Sequence, residues 1–447
     1  MIRMHVSEAA RLLETSYSGP DGVFQGCGID SRVLLKGTLF IALPGHHRDG
    51  HDFVDLAADR GAAAAMIERN GVHHSLPTIN VGDCRYALGR LAAIWRKRFI
   101  GSLVAITGSN GKTTVKEFLA AIFAKLGATH ATRGNLNNDL GVPLTLLGLS
   151  GAHDWAVVEM GANHPNEIME LTRMASPSIG VITQCAPAHL AGFGNIEGVA
   201  KAKGELLAGL DEAGIGIINA DDPFVDLWRS LNGNRCLVTF GLDNSADISA
   251  DYQLESNRVR LKLKTPFGHQ DTQIALPGRH NVLNALAATA AAVAAGCPLE
   301  VIAEGLMSVG SIDGRLQIKY AKNGGRVIDD SYNANPASLV SALKVLADYE
   351  DPRWLILGDM GELGDEAIGL HEHAGLMARK LGVMRLFATG ALCRHAVDAF
   401  GYGGNHYVNS MDLLGAVCAE FSKETTVLVK GSRHMRMERV VGALLGW

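Results

Sequence analysis

Eight consecutive residues, TGSNGKTT at 107–114, hold the densest chemistry in this chain. An apolar run precedes them. In the helical pattern that follows, Val115, Phe118, Leu119, Ile122, Phe123 and Leu126 recur at i, i+3, i+4 and i+7, with Gly127 placed to end it. A glycine loop between a strand and a helix N-terminus offers free backbone N–H groups and the positive end of the helix dipole to an anion. Gly108, Ser109, Asn110, Gly111, Lys112, Thr113 and Thr114 are therefore candidates to cradle phosphate. Lys112 can reach the terminal phosphates, and the Thr113 hydroxyl can ligate Mg²⁺. Two residues separate the glycines, where the general phosphate-loop consensus has four. The GKTT core still favours a nucleoside triphosphate site over a tight turn beside a surface lysine.

Ligands of open parallel sheets collect beyond the carboxyl ends of the strands, so polar residues that terminate apolar runs are the next candidates. The run at 155–158 ends in Glu159, placed to hold Mg²⁺ or position water. The run at 179–183 leads into a loop carrying His189, which is either structural or a ligand of a second ion beside Glu159. In 196–210, Val199, Leu206, Leu207 and Leu210 make an apolar stripe that contains Lys203, while Lys201 faces the other way. A lysine on a buried face needs a partner or loss of its charge. A salt bridge, a snorkelling stem and carbamylation, which would make it an anionic metal ligand, all remain open. Asn281 opens an alanine-rich helix and could read a base edge, and 329–336, DDSYNANP, crowds more donors and acceptors than a turn requires.

The elements that must position these groups follow from the patterning of 447 residues, a length that implies several domains. Short strands are expected at 37–43, 63–67 and 78–81, the first two separated by a polar segment at 45–51. From 102 to about 310 strand and helix signals alternate, at 104–107, 156–160, 180–183 and 216–220 for the strands, which implies right-handed βαβ units and a mainly parallel sheet. An alternating pattern at 249–276 reads as an antiparallel edge of that sheet. A second α/β series has strands at 326–330, 354–358, 385–389 and 426–430. The expected architecture is three α/β domains: a small one at 1–100, a central phosphate-loop ATPase-like domain at 101–312, and a C-terminal Rossmann-like domain at 313–447.

Composition narrows the function. With 47% hydrophobic and 19% charged residues and a formal net charge of -5, the chain reads as globular, with no electrostatic footprint for nucleic acid. Lys430, Arg433, His434, Arg436 and Arg439 read as one solvated face of a last helix. Seven scattered cysteines without a CxxC pair argue against a disulfide framework or a zinc site and suit a reducing cytosol. Ser7 is placed to cap a short N-terminal helix, no secretory signal is expected, and the apolar stretch 285–296 reads as a core helix too short to span a bilayer. The expectation is a cytoplasmic protein without membrane insertion.

Taken together, TGSNGKTT (107–114), GNLNNDLGVPLTLL (134–147), VVEMGANHPNEI (157–168), APAHLAGFGN (186–195), AKGE (202–205), GRHNVLNALAA (278–288), DGRLQ (313–317), DDSYNANPAS (329–338) and LGDMGELG (357–364) resemble the Mur ligase family over essentially the whole chain. These are ATP-dependent amide-forming enzymes of peptidoglycan synthesis, in which the short glycine spacing is usual. GIDSRVLLKGTLFIALPGHHRDGHDF (28–53), MGANHPNEI and DDSYNANPAS favour the branch that joins D-alanyl-D-alanine to UDP-N-acetylmuramoyl-tripeptide. The Asp-Asn-Pro-Arg signature of diaminopimelate-adding members is absent; Asn333-Ala334-Asn335-Pro336 stands in its neighbourhood.

The resemblance implies γ-phosphoryl transfer from ATP to a carboxylate, attack of an amine on the acyl phosphate, and collapse of a tetrahedral intermediate to amide and phosphate. It implies two Mg²⁺ ions, one on Thr113 and Glu159, the other on His189 and carbamylated Lys203. Asn281 and Arg315 would contact the nucleotide, and Asp330 its ribose or the domain junction. Asn135 and Asn138 would lie near the muramoyl peptide. Asp30, Ser31 and Arg32, with His51 nearby, would hold the uridine end. Asn333 and Asn335 would serve the dipeptide site, and a hinge near 311–313 would let the third domain of a monomer close over ATP. A folylpolyglutamate-synthetase-like ligase would not require the DSR-containing first domain. A regulatory phosphate-loop NTPase selective for guanine would show Asn-Lys-x-Asp, and a dinucleotide-binding scaffold GxGxxG after a strand; neither pattern stands out.

Overall fold

Apolar runs without polar alternation, such as those ending at Thr107 and Glu159, suit strands covered on both faces. The computed structural model describes the chain except residues 46–47, 69–74, 256–257 and 447, so His46 and His47 of the polar segment lie outside the described residues. Its central sheet has six parallel strands in the order Cys236–Phe240, Ile215–Asn219, Ile179–Ile182, Ser102–Thr107, Trp155–Glu159, Thr129–Ala131. Ser102–Thr107 therefore lies between the strands ending near Glu159 and near His189, and the chain leaves it for opposite sides. That crevice is where an open α/β sheet receives a ligand. The register pairs Glu159 with Ile106 and Ile182 with Thr107, so both neighbours end level with the phosphate loop.

The N-terminal sheet has five strands, Ser16–Ser18 antiparallel at one edge and Thr78–Asn80, Ala64–Ile67, Leu39–Ile41 and Cys27–Gly28 parallel beyond it. Its helix Cys84–Arg96 docks on the central region. Trp95 Nε1 donates to the Leu149 carbonyl at 2.9 Å, and the Arg96 guanidinium donates to those of Ala175 and Ser176. One apolar cluster accordingly runs from Ile2 and Phe24 through Leu88 to Leu146, Leu171 and Leu206. The C-terminal sheet runs Gln317–Tyr320, Arg326–Asp330, Thr426–Lys430, Arg353–Gly358, Arg385–Thr389, Gly404–Tyr407, antiparallel only at its first pair.

Several expectations need correction. Residues 249–276 form no edge of the central sheet but a separate three-stranded antiparallel sheet, because Val259, Leu261 and Leu263 present an apolar face of their own. That face covers the helix Arg279–Ala294, whose alanines are buried nearly throughout. The phosphate-loop helix ends at Phe123, one turn before Gly127, leaving Leu126 41% exposed in the turn. Ser7 lies inside the first helix, Val6–Leu12; Asp21 serves that end, accepting from the Ser7 N–H at 3.0 Å and from its hydroxyl at 2.7 Å. The basic cluster is not one helical face. Lys430 ends a buried strand, Arg433–Met435 is a 3₁₀ turn, and only Arg439 lies on the last helix, Glu438–Leu445.

Phe118 is fully buried where the phosphate-loop helix meets its sheet. Phe118→Ala is expected to cost about 3–5 kcal/mol in denaturant unfolding. Leu126→Ala should stay within about 0.5 kcal/mol of the parent chain.

Candidate active site

The phosphate loop is held by close approach. Gly108 (φ 142°) and Gly111 (φ 86°) both have positive φ; a Cβ on the first would lie 1.9 Å from Thr183 Oγ1, and on the second 2.2 Å from Asn284 Oδ1. Thr183 Oγ1 donates to the Asn110 carbonyl at 2.5 Å. The Ser109 hydroxyl donates to the Ala186 carbonyl at 2.9 Å and accepts from the Ala186 N–H at 3.0 Å. The loop is thus fastened to the segment leading to His189. The helix Lys112–Phe123 starts on Gly111 with no side-chain cap, which leaves its first-turn N–H groups for an anion. Lys112 donates from Nζ to the Gly108 carbonyl at 2.7 Å. Burial draws its pKa down, against the pull of Glu159.

Glu159 is 2% exposed and well supplied with donors. Thr113 Oγ1 donates to its Oε2 at 3.0 Å and Asn137 Nδ2 to its Oε1 at 2.8 Å, while its backbone N–H donates to Thr132 Oγ1. Lys203 is equally buried, with no ion pair or hydrogen bond from Nζ among the described residues; the ammonium lies 5.4 Å from the Phe193 ring. Burial, then the Lys112 charge, lowers its pKa to about 7. Lys201 is exposed, so the two lysines divide as the helical stripe implied. His189 takes a left-handed conformation, φ 54°, at the start of a short helix and is ion-paired to Glu362 of the C-terminal region.

These groups share one cavity of about 290 Å³, lined by the loop from Ser109 to Thr113, Asn135, Asn137, Asn138, Glu159, His189, Lys203, Arg315, Tyr332, Asn333, Asn335 and Arg433. Arg315 reaches in from the C-terminal side, its guanidinium 4.2 Å from the Tyr332 ring centroid and 3.4 Å from Thr113 Oγ1. Asn335 donates to Asn110 Oδ1 at 2.8 Å and caps the helix Pro336–Ala347. Beyond Gly111 a tighter cavity of about 80 Å³ is lined by Thr114, His280, Asn281, Asn284, Asp330 and Lys430. Asn281 is engaged there at both ends of its amide, with Pro277 and Asn284. Asp330 is ion-paired to Lys430, whose Nζ also donates to the Asn333 carbonyl at 2.8 Å.

Four expected residues stay apart. Asp30 and Arg32 pair with each other on the N-terminal surface, next to Ser31, and His51 is buried beneath it. Both ring nitrogens of His51 are engaged, Nδ1 with Asp49 at 2.6 Å and Nε2 with the Glu68 N–H at 2.9 Å. Conversely, Asn137, Asn284, Tyr332, Glu362, Arg433 and Lys430 stand in the cavity walls without having been singled out as site residues. Asn137 sits between Asn135 and Asn138 in the NLNN run, and Lys430 ends an apolar strand as Glu159 does.

Family models match at three places: the Mur ligase family catalytic domain at 23–96, the Mur ligase middle domain at 106–292, and the Mur ligase glutamate ligase domain at 314–433. The chain belongs to the Mur ligase family. This Mur ligase is 40% identical over 449 residues to the UDP-N-acetylmuramoyl-tripeptide–D-alanyl-D-alanine ligase of Escherichia coli, with 99% of each chain covered. It superposes on the crystal structure of MurF from Acinetobacter baumannii with a TM-score of 0.92 at 32% identity, covering 100% of this chain and 99% of that one. On MurF from Thermotoga maritima in complex with ADP the TM-score is 0.82 at 25% identity, covering 94% and 97%.

The loop's tolerance can be measured directly. Gly111→Ala places a methyl against Asn284 in a left-handed conformation, and it is expected to lose nucleotide binding by at least about tenfold. Titration with a fluorescent ATP analogue, beside a thermal melt to show retained folding, checks this.

Proposed function

We propose that this Mur ligase joins D-alanyl-D-alanine to UDP-N-acetylmuramoyl-tripeptide at the expense of ATP, forming the pentapeptide precursor of peptidoglycan. The observation that carries the reading is the single cavity that gathers Lys112, Thr113, Glu159, His189 and Lys203 at the end of one parallel sheet. A carboxylate is a poor acyl donor until its oxygen is made a good leaving group. A carboxylate oxygen of the tripeptide attacks the γ-phosphorus, ADP departs, and an acyl phosphate forms. The dipeptide amine then adds to the acyl carbon, and the tetrahedral intermediate expels phosphate and a proton as the amide bond closes.

Transfer between two anions is mainly a matter of positioning and charge neutralisation. Lys112 and the uncapped first turn of its helix hold the phosphates. Arg315, stacked on Tyr332, adds a cation from the other wall. Asn281 and Asp330 border the smaller cavity, where base and ribose would lie. Asn135 and Asn138 face the space for the muramoyl peptide, with Asn333 and Asn335 opposite. The Asp30–Arg32 loop holds the uridine end.

Hard oxygen ligands 3.0 Å apart on Thr113 and Glu159 suit Mg²⁺. Lys203 as an ammonium does not suit a metal, but a lysine near pKa 7 offers the neutral amine that adds CO₂ to become an anionic carbamate, which would share a second ion with His189. Bound there, the two ions would neutralise phosphate and carboxylate as they meet. Residues 1–100 take the nucleotide-linked substrate, 101–312 ATP, and 313–447 the dipeptide. We read the enzyme as a cytoplasmic monomer that acts on soluble nucleotide-linked substrates. Among the described residues no helix is long and apolar enough to cross a membrane.

Phosphate release from ATP and Mg²⁺ is expected only when tripeptide substrate and D-alanyl-D-alanine are both present. Release indifferent to them would sink the reading. Lys203→Ala should lower kcat by at least about 100-fold, with partial recovery in a short carboxylic acid, while Lys201→Ala stays near the parent value. Equal losses at both lysines would refute the carbamate.

A further inference from the structure

A third cavity, of about 620 Å³, opens beside the first and joins Lys112 and His189 of the central region to Glu362, Arg433, His434 and Arg436 of the C-terminal one. Its wall carries both signs, with the phosphate-loop lysine and the His189–Glu362 pair among the lining groups. Two guanidinium groups also line the space, and they are not equivalent. Arg433 is committed, at 3.2 Å from Glu438 and 5.8 Å from the Tyr332 ring centroid. Arg436 makes no side-chain hydrogen bond or ion pair among the described residues.

The backbone around Arg436 is unusual in the same direction. A left-handed turn, φ 52°, ends the 3₁₀ segment Arg433–Met435 there, at a conformation that costs a residue other than glycine some strain. The chain is anchored just before and just after this turn. Met437 is fully buried, and Ser432 is tied to the Gly361 N–H at 2.8 Å and to the Ala334 carbonyl at 3.2 Å. The turn thus keeps one unpaired guanidinium on the wall of a cavity that Lys112 and His189 also line.

We propose that Arg436 is the specificity-determining residue that receives the terminal carboxylate of the incoming dipeptide, so that the acceptor lies along the cavity with its amine toward Glu362 and the phosphate loop. The assignment rests on the reading of the site given above and deepens it. A zwitterion suits a wall that carries both signs: its ammonium is drawn to the Glu362 carboxylate and its carboxylate to the free guanidinium of Arg436. A planar guanidinium free of internal partners can take a carboxylate through two parallel N–H···O bonds, which a committed arginine cannot. The enzyme then selects a free acid because an acceptor without that charge leaves Arg436 unmatched.

The test compares D-alanyl-D-alanine with its C-terminal amide as acceptors, for the parent enzyme, Arg436→Ala, Arg436→Gln and the control Arg439→Ala. The parent should prefer the acid. Both Arg436 variants should raise KM for the acid by about 10- to 100-fold, leave KM for the amide nearly unchanged and so erase the preference, with kcat largely kept. Arg439→Ala, on the exposed last helix, should retain it. Preference surviving in both Arg436 variants, or a parent that does not discriminate, overturns the assignment. A parent that uses neither acceptor refutes instead the ligase reading on which it stands.

Discussion

The hydrogen bond from Thr113 to Glu159 joins the first turn of a helix to the end of a neighbouring strand, and the site depends on it. It can form only because Ser102–Thr107 and Trp155–Glu159 run parallel in a register that ends them level. The loop between is short, so its helix begins close to the sheet edge, and only glycine fits where it passes Thr183 and Asn284. A one-residue slip in either strand would turn the carboxylate to the other face of the sheet. Strand order, loop length and register are therefore one constraint, which Asn137 and Thr132 reinforce by fixing Glu159 from the side.

Electrostatics divides the cavity by sign. Two lysines, half-buried Lys112 and fully buried Lys203, face it from the central region; burial lowers the proton affinity of both, and the Lys112 charge lowers that of Lys203 further. Such a pair is costly to hide unless an anion arrives. Triphosphate would neutralise the first, and the proposed conversion to a carbamate the second. The ordering of causes for Lys203, burial before repulsion, means that its position on an apolar helical stripe is what prepares its chemistry.

Much of this was legible in the sequence because it rests on local patterning. The 3.6-residue period separated Lys203 from Lys201, and strand ends located Glu159 and His189. The four inner strands of the C-terminal sheet were recoverable as apolar runs, whereas its edges, Gln-Ile-Lys-Tyr and Gly-Asn-His-Tyr, are partly exposed along their length and have no such run. Non-local geometry was not legible. Nothing in the spacing of Asp330 and Lys430 announces an ion pair across 100 residues, so Lys430 read as part of a solvated basic cluster. Nor does the polar segment around His51 announce that its ring engages Asp49 and Glu68.

The two joints of the molecule differ in kind. Across residue 100 a single hydrocarbon core is continuous, whereas the apolar clusters of the C-terminal region draw only on residues from Leu316 onward, with Leu370 alone reaching the first cluster. The second joint is bridged by polar contacts, Asn335 to Asn110, Arg315 to Thr113 and Glu362 to His189. Separating surfaces of that kind exposes little apolar area and so carries a small heat-capacity change, which makes its free energy vary with temperature along a nearly straight line. Rupture of the first joint would carry the large, curved temperature dependence of unfolding itself. Movement of the last third about the second joint would therefore not require the conditions under which the chain melts.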